Sequence, residues 1–160
     1  MRFLKNVFFF FIGLCFSHAS LAQNNTVKPK PKIDTTAPKL VIKFGPYGDS
    51  SKTLVSAMKQ LLKTELKVTD TKGGTYNIIS FDFAWRRKDF TDDFKTGIPK
   101  TIFIYNETTV RGDSHIPINW QKELQPNMQS QEELFFYNIL AQNAKTKRLI
   151  KPAPLRLIIL

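Results

Sequence analysis

The most continuous apolar stretch of the sequence lies at its start. Residues 7–16, VFFFFIGLCF, carry no charge; Arg2 and Lys5 precede them, and Ser17, His18, Ala19, Ser20, Leu21 and Ala22 follow. A basic start, a short apolar run and a small-x-small exit predict a cleavable signal peptide over 1–22, cut between Ala22 and Gln23. A spanning helix needs about 20 apolar residues, twice this run. The bulk of Leu14 before Cys15 argues against lipid attachment there. The expected location is therefore periplasmic or secreted, with no transmembrane segment once the leader is removed.

Residues 23–38 change character. Lys28, Pro29, Lys30, Pro31, Lys32 and Pro38 stand among few large apolar groups, which predicts an extended, solvated linker. The simplest reading is a spacer; the other is a basic tether to an anionic surface. The folded domain is expected over 39–160. Leu40, Val41, Ile42 and Phe44 predict a short strand, stopped by Gly45-Pro46-Tyr47-Gly48. Asp49, Ser50 and Ser51 are candidate N-caps for a helix whose apolar face is Leu54, Val55, Met58, Leu61 and Leu62. Leu66 and Val68 alternate with polar residues, and Thr71-Lys72-Gly73-Gly74 reads as a turn. Ile79, Phe81, Phe83 and Trp85 alternate with mostly polar neighbours, the strongest strand signal in the chain.

Residues 88–98 read as a polar loop with Phe90 and Phe94 as plugs. Strands are expected over 101–105, 134–140 and 155–160, while 106–115 is turn-rich and 116–126 fits no single period. Pro152 and Pro154 suit the start of an edge strand. Six or so strands, one short helix and no βαβ alternation predict a mainly β fold, an antiparallel β-sandwich of immunoglobulin-like or related type.

Composition then narrows the chemistry. The net charge is +11 at pH 7; the leader holds two basic residues and no acid, so its removal leaves +9. The single cysteine, Cys15, leaves with it, so no disulfide, thiolate nucleophile or cysteine-held metal is expected. One histidine, His115, remains beside Ser114 and Asp113. Sequence neighbours rarely form a triad, and one histidine with scattered carboxylates is a poor metal set. Gly73-Gly74 and Gly45-x-x-Gly48 lack the lysine and helix context of a phosphate loop. No catalytic residue, metal or cofactor is expected. Arg111-Gly112-Asp113 spells an integrin-binding tripeptide, but a turn between strands accounts for it. Arg86, Arg87 and Lys88, with Lys145, Lys147 and Arg148, are the densest basic points and form a candidate interaction patch. Export speaks against nucleic acid as the partner.

Three segments carry a family resemblance: KFGPYGDSSKTLVSAM (43–58), IISFDFAWRR (78–87) and ELFFYNILAQNAKTKRLIKPAPLRLII (133–159). Together they resemble the C-terminal domain of the gliding-motility protein GldM, also called PorM, over roughly half of the mature chain; 88–132 matches poorly. The SLAQNN around the cleavage site is similar to that of secreted proteins of Bacteroidota. The resemblance implies a β module of the type IX secretion and gliding machinery, in which the family's full-length members are dimeric, non-enzymatic periplasmic shafts anchored in the inner membrane. Here a leader stands in place of the anchor and a single domain is expected, so the motor role does not carry over. What carries over is a non-enzymatic module that binds a protein partner in the cell envelope, a second copy of itself included. The alternative is a secreted carbohydrate- or surface-binding module that stacks sugars on Trp85, Trp120, Tyr47 or Tyr105.

Overall fold

The structure, a computed structural model, describes residues 39–160. The expected leader, its cleavage site at Ala22 and Gln23, and the linker over 23–38 lie outside the described residues. Ten elements follow in order: β1 (Leu40–Phe44), β2 (Ser51–Thr53), α1 (Val55–Leu61), β3 (Leu66–Asp70), β4 (Thr75–Asp92), β5 (Pro99–Arg111), α2 (Ile118–Asn127), β6 (Glu133–Asn143), β7 (Leu149–Ile150) and β8 (Leu155–Ile159). The chain is mainly β, as expected. The expected pair of facing sheets is instead one curled eight-stranded sheet, ordered β1-β3-β4-β6-β8-β2. Nor is it wholly antiparallel, because β2 runs parallel to β8.

The centre of the sheet is the β4–β6 pair. Each strand shares one of its edges between two partners. β3 takes Thr75 and Tyr76 of β4, and β5 takes Ser80 onward; β7 and β8 divide the far edge of β6 in the same way. This splitting curls the sheet around one core, in which the Phe136 ring of β6 lies 5.0 Å from Phe44, 5.3 Å from Phe83 and 5.9 Å from Phe81.

Two bulges set which residues face that core. Between Ile78 and Ser80 the pairing advances two residues on β4 and one on β6, which leaves Ile79 as the extra residue. Between Ser80 and Asp82 the extra residue is on β6, at Asn138, whose φ is +48°. Each bulge flips the inward parity of its strand. Phe81, Phe83 and Trp85 point inward as their alternation predicts, whereas Ile79 is 39% exposed. On β6 the buried set changes from Leu134 and Phe136 to Ile139 and Ala141.

The expected helix caps serve as strand instead. Ser50 donates its amide to the Arg156 carbonyl, and Asp49 accepts from the Arg156 amide, which locks Ser51–Thr53 onto β8. The helix begins after Leu54 with no side-chain cap. It buries Met58 and leads into buried Leu62, but Leu54 stays exposed. The segment without a clear period contains a second helix, α2. Ile116, Ile118 and Trp120 alternate like a strand while Trp120 and Leu124 repeat like a helix, and Pro117 at the N-cap starts the helix. Trp120 meets Phe83 edge-on at 5.4 Å.

Candidate functional site on the β4–β5 hairpin

β4 is 18 residues long, but β6 accompanies it only as far as Arg86. From Arg87 to Asp92 its ladder partner is β5 alone. Six residues at about 3.3 Å each make an arm reaching roughly 20 Å past the end of β6. The segment expected to be a loop is therefore this arm and its turn, and Phe90 and Phe94 are not plugs: they are 58% and 103% exposed. The turn is tightly built. The Asp93 carboxylate accepts from the amides of Lys95 and Thr96, and Gly97, at φ +66°, donates to the Asp93 carbonyl. Phe94 thus stands on an ordered tip, with Ile98 64% exposed beside it.

A buried carboxylate fixes the root of the arm. Glu132, after α2, accepts from the Trp85 indole N–H at 2.8 Å, the Lys88 amide at 2.9 Å and the Gln129 amide at 3.0 Å. It satisfies the polar atom of a buried tryptophan and ties the first turn of the arm to the body of the domain.

The outward face of the hairpin is rich in aromatic and cationic groups. Register places Arg86 beside Tyr105 and Glu133, Lys88 beside Phe103, and Ala84 between Glu107 and Phe135. The Arg86 guanidinium lies 3.6 Å above the Phe103 ring and donates to Glu133 at 2.9 Å. Arg156 forks onto the same carboxylate at 2.6 and 2.9 Å. Hydrogen bonds from Arg156, with its charge and that of Arg86, hold the Glu133 carboxyl below its ordinary range against the opposing effect of burial. Tyr105, 62% exposed, lies 6.2 Å from Phe135.

Further along this face is a 300 Å³ hollow lined by Asp82, Glu107, Thr108, Thr109 and Tyr137. Tyr137 donates to Glu107 at 2.6 Å, and this bond, with burial and the charges of Glu107 and Asp82, pushes its hydroxyl up to about 12. Asp82 is lowered by donation from Asn138 and Thr109. A second hollow, of 430 Å³, opens where β3 and β5 diverge along β4, between Glu65, Tyr76, Asn77 and Asp113.

The six basic candidates do not form one patch. Arg86, Arg87 and Lys88 lie by the Glu133 end of β6, whereas Lys145, Lys147 and Arg148 lie in the turn after Asn143. Ten residues of strand put roughly 33 Å between them. Arg86 and Lys88 face outward; Arg87 faces inward, paired with Asp89 at 3.3 Å and Glu123 at 3.9 Å.

Of the proposed sugar-stacking residues, Trp85 is fully buried and Trp120 and Tyr47 pack against the core, which leaves Tyr105. His115 is joined to Asp113 at 2.7 Å on an exposed turn. Among the described residues its ring bonds no serine or threonine hydroxyl. In the same range no three His, Cys, Asp or Glu side chains gather as a metal site, and no helix is long and apolar enough to cross a membrane. Arg111 ends β5, Gly112 takes the turn at φ +69°, and the Asp113 carboxylate is occupied by the amides of Ser114 and His115.

Sequence reasoning missed Phe103, Phe135, Glu133 and Arg156. Only Pro99 hinted at what lies there, since proline opening a strand marks a sheet edge. Compared with protein families, curated proteins and solved structures, the chain matches none. The poorly matching stretch 88–132 of the GldM resemblance holds most of the arm, β5 and α2.

Proposed function

We propose that this protein is a non-enzymatic, exported binding module that docks another protein of the cell envelope through the β4–β5 arm and its outward face. The observation that carries the reading is the set of large apolar side chains held in water on an ordered hairpin: Phe90, Phe94, Ile98 and Tyr105 are 58, 103, 64 and 62% exposed. Clustered exposed apolar groups mark contact surfaces, and aromatic and arginine side chains are the residues that dominate binding energy at such surfaces. The resemblance to the GldM C-terminal domain agrees with a role beside gliding or type IX secretion machinery. A photo-crosslinking residue at position 94, with one at exposed Lys63 as control, tests the reading in intact envelopes. A discrete adduct from 94 and none from 63 supports it; equal labelling from both sites would sink it.

The second reading is a carbohydrate-binding face. It is favoured by the exposed Tyr105 ring near the hollow lined by Asp82, Glu107 and Tyr137. A glycan array with a Tyr105→Ala control separates the two, since sugar binding that needs Tyr105 would favour this alternative.

A further inference from the structure

Among the described residues, four strands of this sheet have a neighbour on one side only. β1, β2 and β7 are short, at 5, 3 and 2 residues, which blunts their edges. β5 leaves 13 residues open. The direction of its free groups can be read from both ends of the hairpin. Asp93 donates to the Ile98 carbonyl at 3.1 Å, and Gly112 donates to the Ile79 carbonyl at 2.8 Å. Even-numbered residues of β5 therefore bond β4, and in an antiparallel ladder their neighbours point the other way. The amides and carbonyls of Thr101, Phe103, Tyr105 and Glu107 face outward, and among the described residues none of these four amides has a partner. Pro99 fits this parity, since it lacks an N–H where none is needed. The stretch Thr101-Ile-Phe-Ile-Tyr105 has the composition of a strand that pairs readily, and a long open edge of that kind is a template for another chain.

Charge selects the occupant. The described residues hold 19 Lys and Arg against 12 Asp and Glu, a net of +7. Among them Lys88, Lys95 and Lys100 form no ion pair, while Asp89 and Glu133 are paired with arginines; Asp93 and Glu132 accept only from neutral N–H groups, so with Asp92 they still offset part of the lysines' charge. A second copy fits poorly. Two-fold antiparallel pairing sets each residue against one of the same parity, so Lys100 can never meet Glu107 of its mate, and two domains of +7 must approach.

We propose that the open edge of β5 accepts an extended acidic segment of another protein as an added strand. The outward main chain of Thr101–Glu107 supplies the hydrogen bonds. Ile102 and Ile104 on one face and Phe103 and Tyr105 on the other flank its alternate side chains, and a carboxylate against Lys100 sets the register. This deepens the protein-docking reading and rests on it.

The test is selection of a displayed library of random dodecapeptides on the protein, followed by hydrogen exchange with the winning peptides. The expected winners carry Asp or Glu at alternate positions and slow the amides of Thr101, Phe103, Tyr105 and Glu107, the even-numbered amides being slow already. Tyr105→Pro removes one outward donor and spares the ladder to β4; it should weaken binding about tenfold, as should Lys100→Glu. Should Tyr105→Pro fail to fold, the same peptides methylated on their edge-facing amides should lose binding to the native protein. Winners that bind Tyr105→Pro and the methylated form undiminished, yet need Phe94, would overturn strand addition and leave arm docking standing. Basic or neutral winners would overturn the acidic partner. A doubling of mass that slows the same amides without peptide would give the edge to a second copy. No enrichment at all would overturn this proposal, while the crosslink from position 94 decides the docking reading separately.

Discussion

At the scale of single residues, Glu132 does more for the fold than its sequence context suggests. Nothing in the sequence distinguishes it from Glu133, yet one is sealed under the arm and the other lies between two arginines. Glu132→Ala would leave the buried Trp85 indole and two main-chain amides without an acceptor. At roughly 1–3 kcal/mol for each such group, a loss of at least about 3 kcal/mol is expected in urea unfolding. Glu132→Gln keeps one acceptor oxygen and should lose less. Tyr137 offers a spectroscopic check of the outward face. Its hydroxyl, raised from 10.0 to about 12 chiefly by its bond to Glu107, should ionise well above the ordinary tyrosine value when tyrosinate absorbance is followed. A group raised by folding stabilises fully below its unfolded value. That contribution should therefore hold to about pH 10 and disappear as pH climbs through about 12. Glu107→Gln should bring this titration back toward the ordinary tyrosine value.

At the scale of elements, the arm and the core respond oppositely to the loss of a phenylalanine. Phe136 touches three other rings in the core, so Phe136→Ala should cost about 3–5 kcal/mol. Phe94 touches solvent, so Phe94→Ser should move stability by less than about 0.5 kcal/mol. Thermal unfolding of the two variants checks both. This contrast also marks what was legible in the sequence. Alternation identified β4 and its inward Phe81, Phe83 and Trp85, because a strand buried on one face must repeat every second residue. It could not foresee that Ile79 and Asn138 would be bulged, since a bulge is a property of two strands in register and only one is visible locally. Phe90 and Phe94 read as plugs because large apolar groups usually go inward. The arm escapes that rule because β6 stops at Glu133 while β4 continues to Asp92. The lone parallel strand, β2, was equally hidden: Asp49-Ser50-Ser51 reads as a helix cap until β8, more than 100 residues later, takes those groups.

At the scale of the molecule, an excess of positive charge sits on a sheet several of whose carboxylates are held below their ordinary range by hydrogen bonds. Glu133 is lowered first by hydrogen bonds from Arg156, Asp82 by Asn138, Asp113 by His115 and Asp70 by the Gly74 amide. A carboxylate whose value falls on folding contributes stability above its unfolded range, near 4, and loses it as pH drops through the lower folded value. Protonation of these groups also removes anions from a domain already at +7, so the remaining cations repel more strongly. Both effects have the same sign, and the domain is expected to unfold in acid below about pH 4 while remaining at full stability near neutrality. Salt separates them. Once the carboxylates are neutral there are no ion pairs left to screen, only like charges, so raising ionic strength should move the acid midpoint to lower pH. Circular dichroism across pH at two salt concentrations measures the shift. An acid midpoint that salt leaves in place would assign acid unfolding to the lost carboxylate hydrogen bonds alone. In that case the charge excess would bear on what the protein attracts rather than on how firmly it folds.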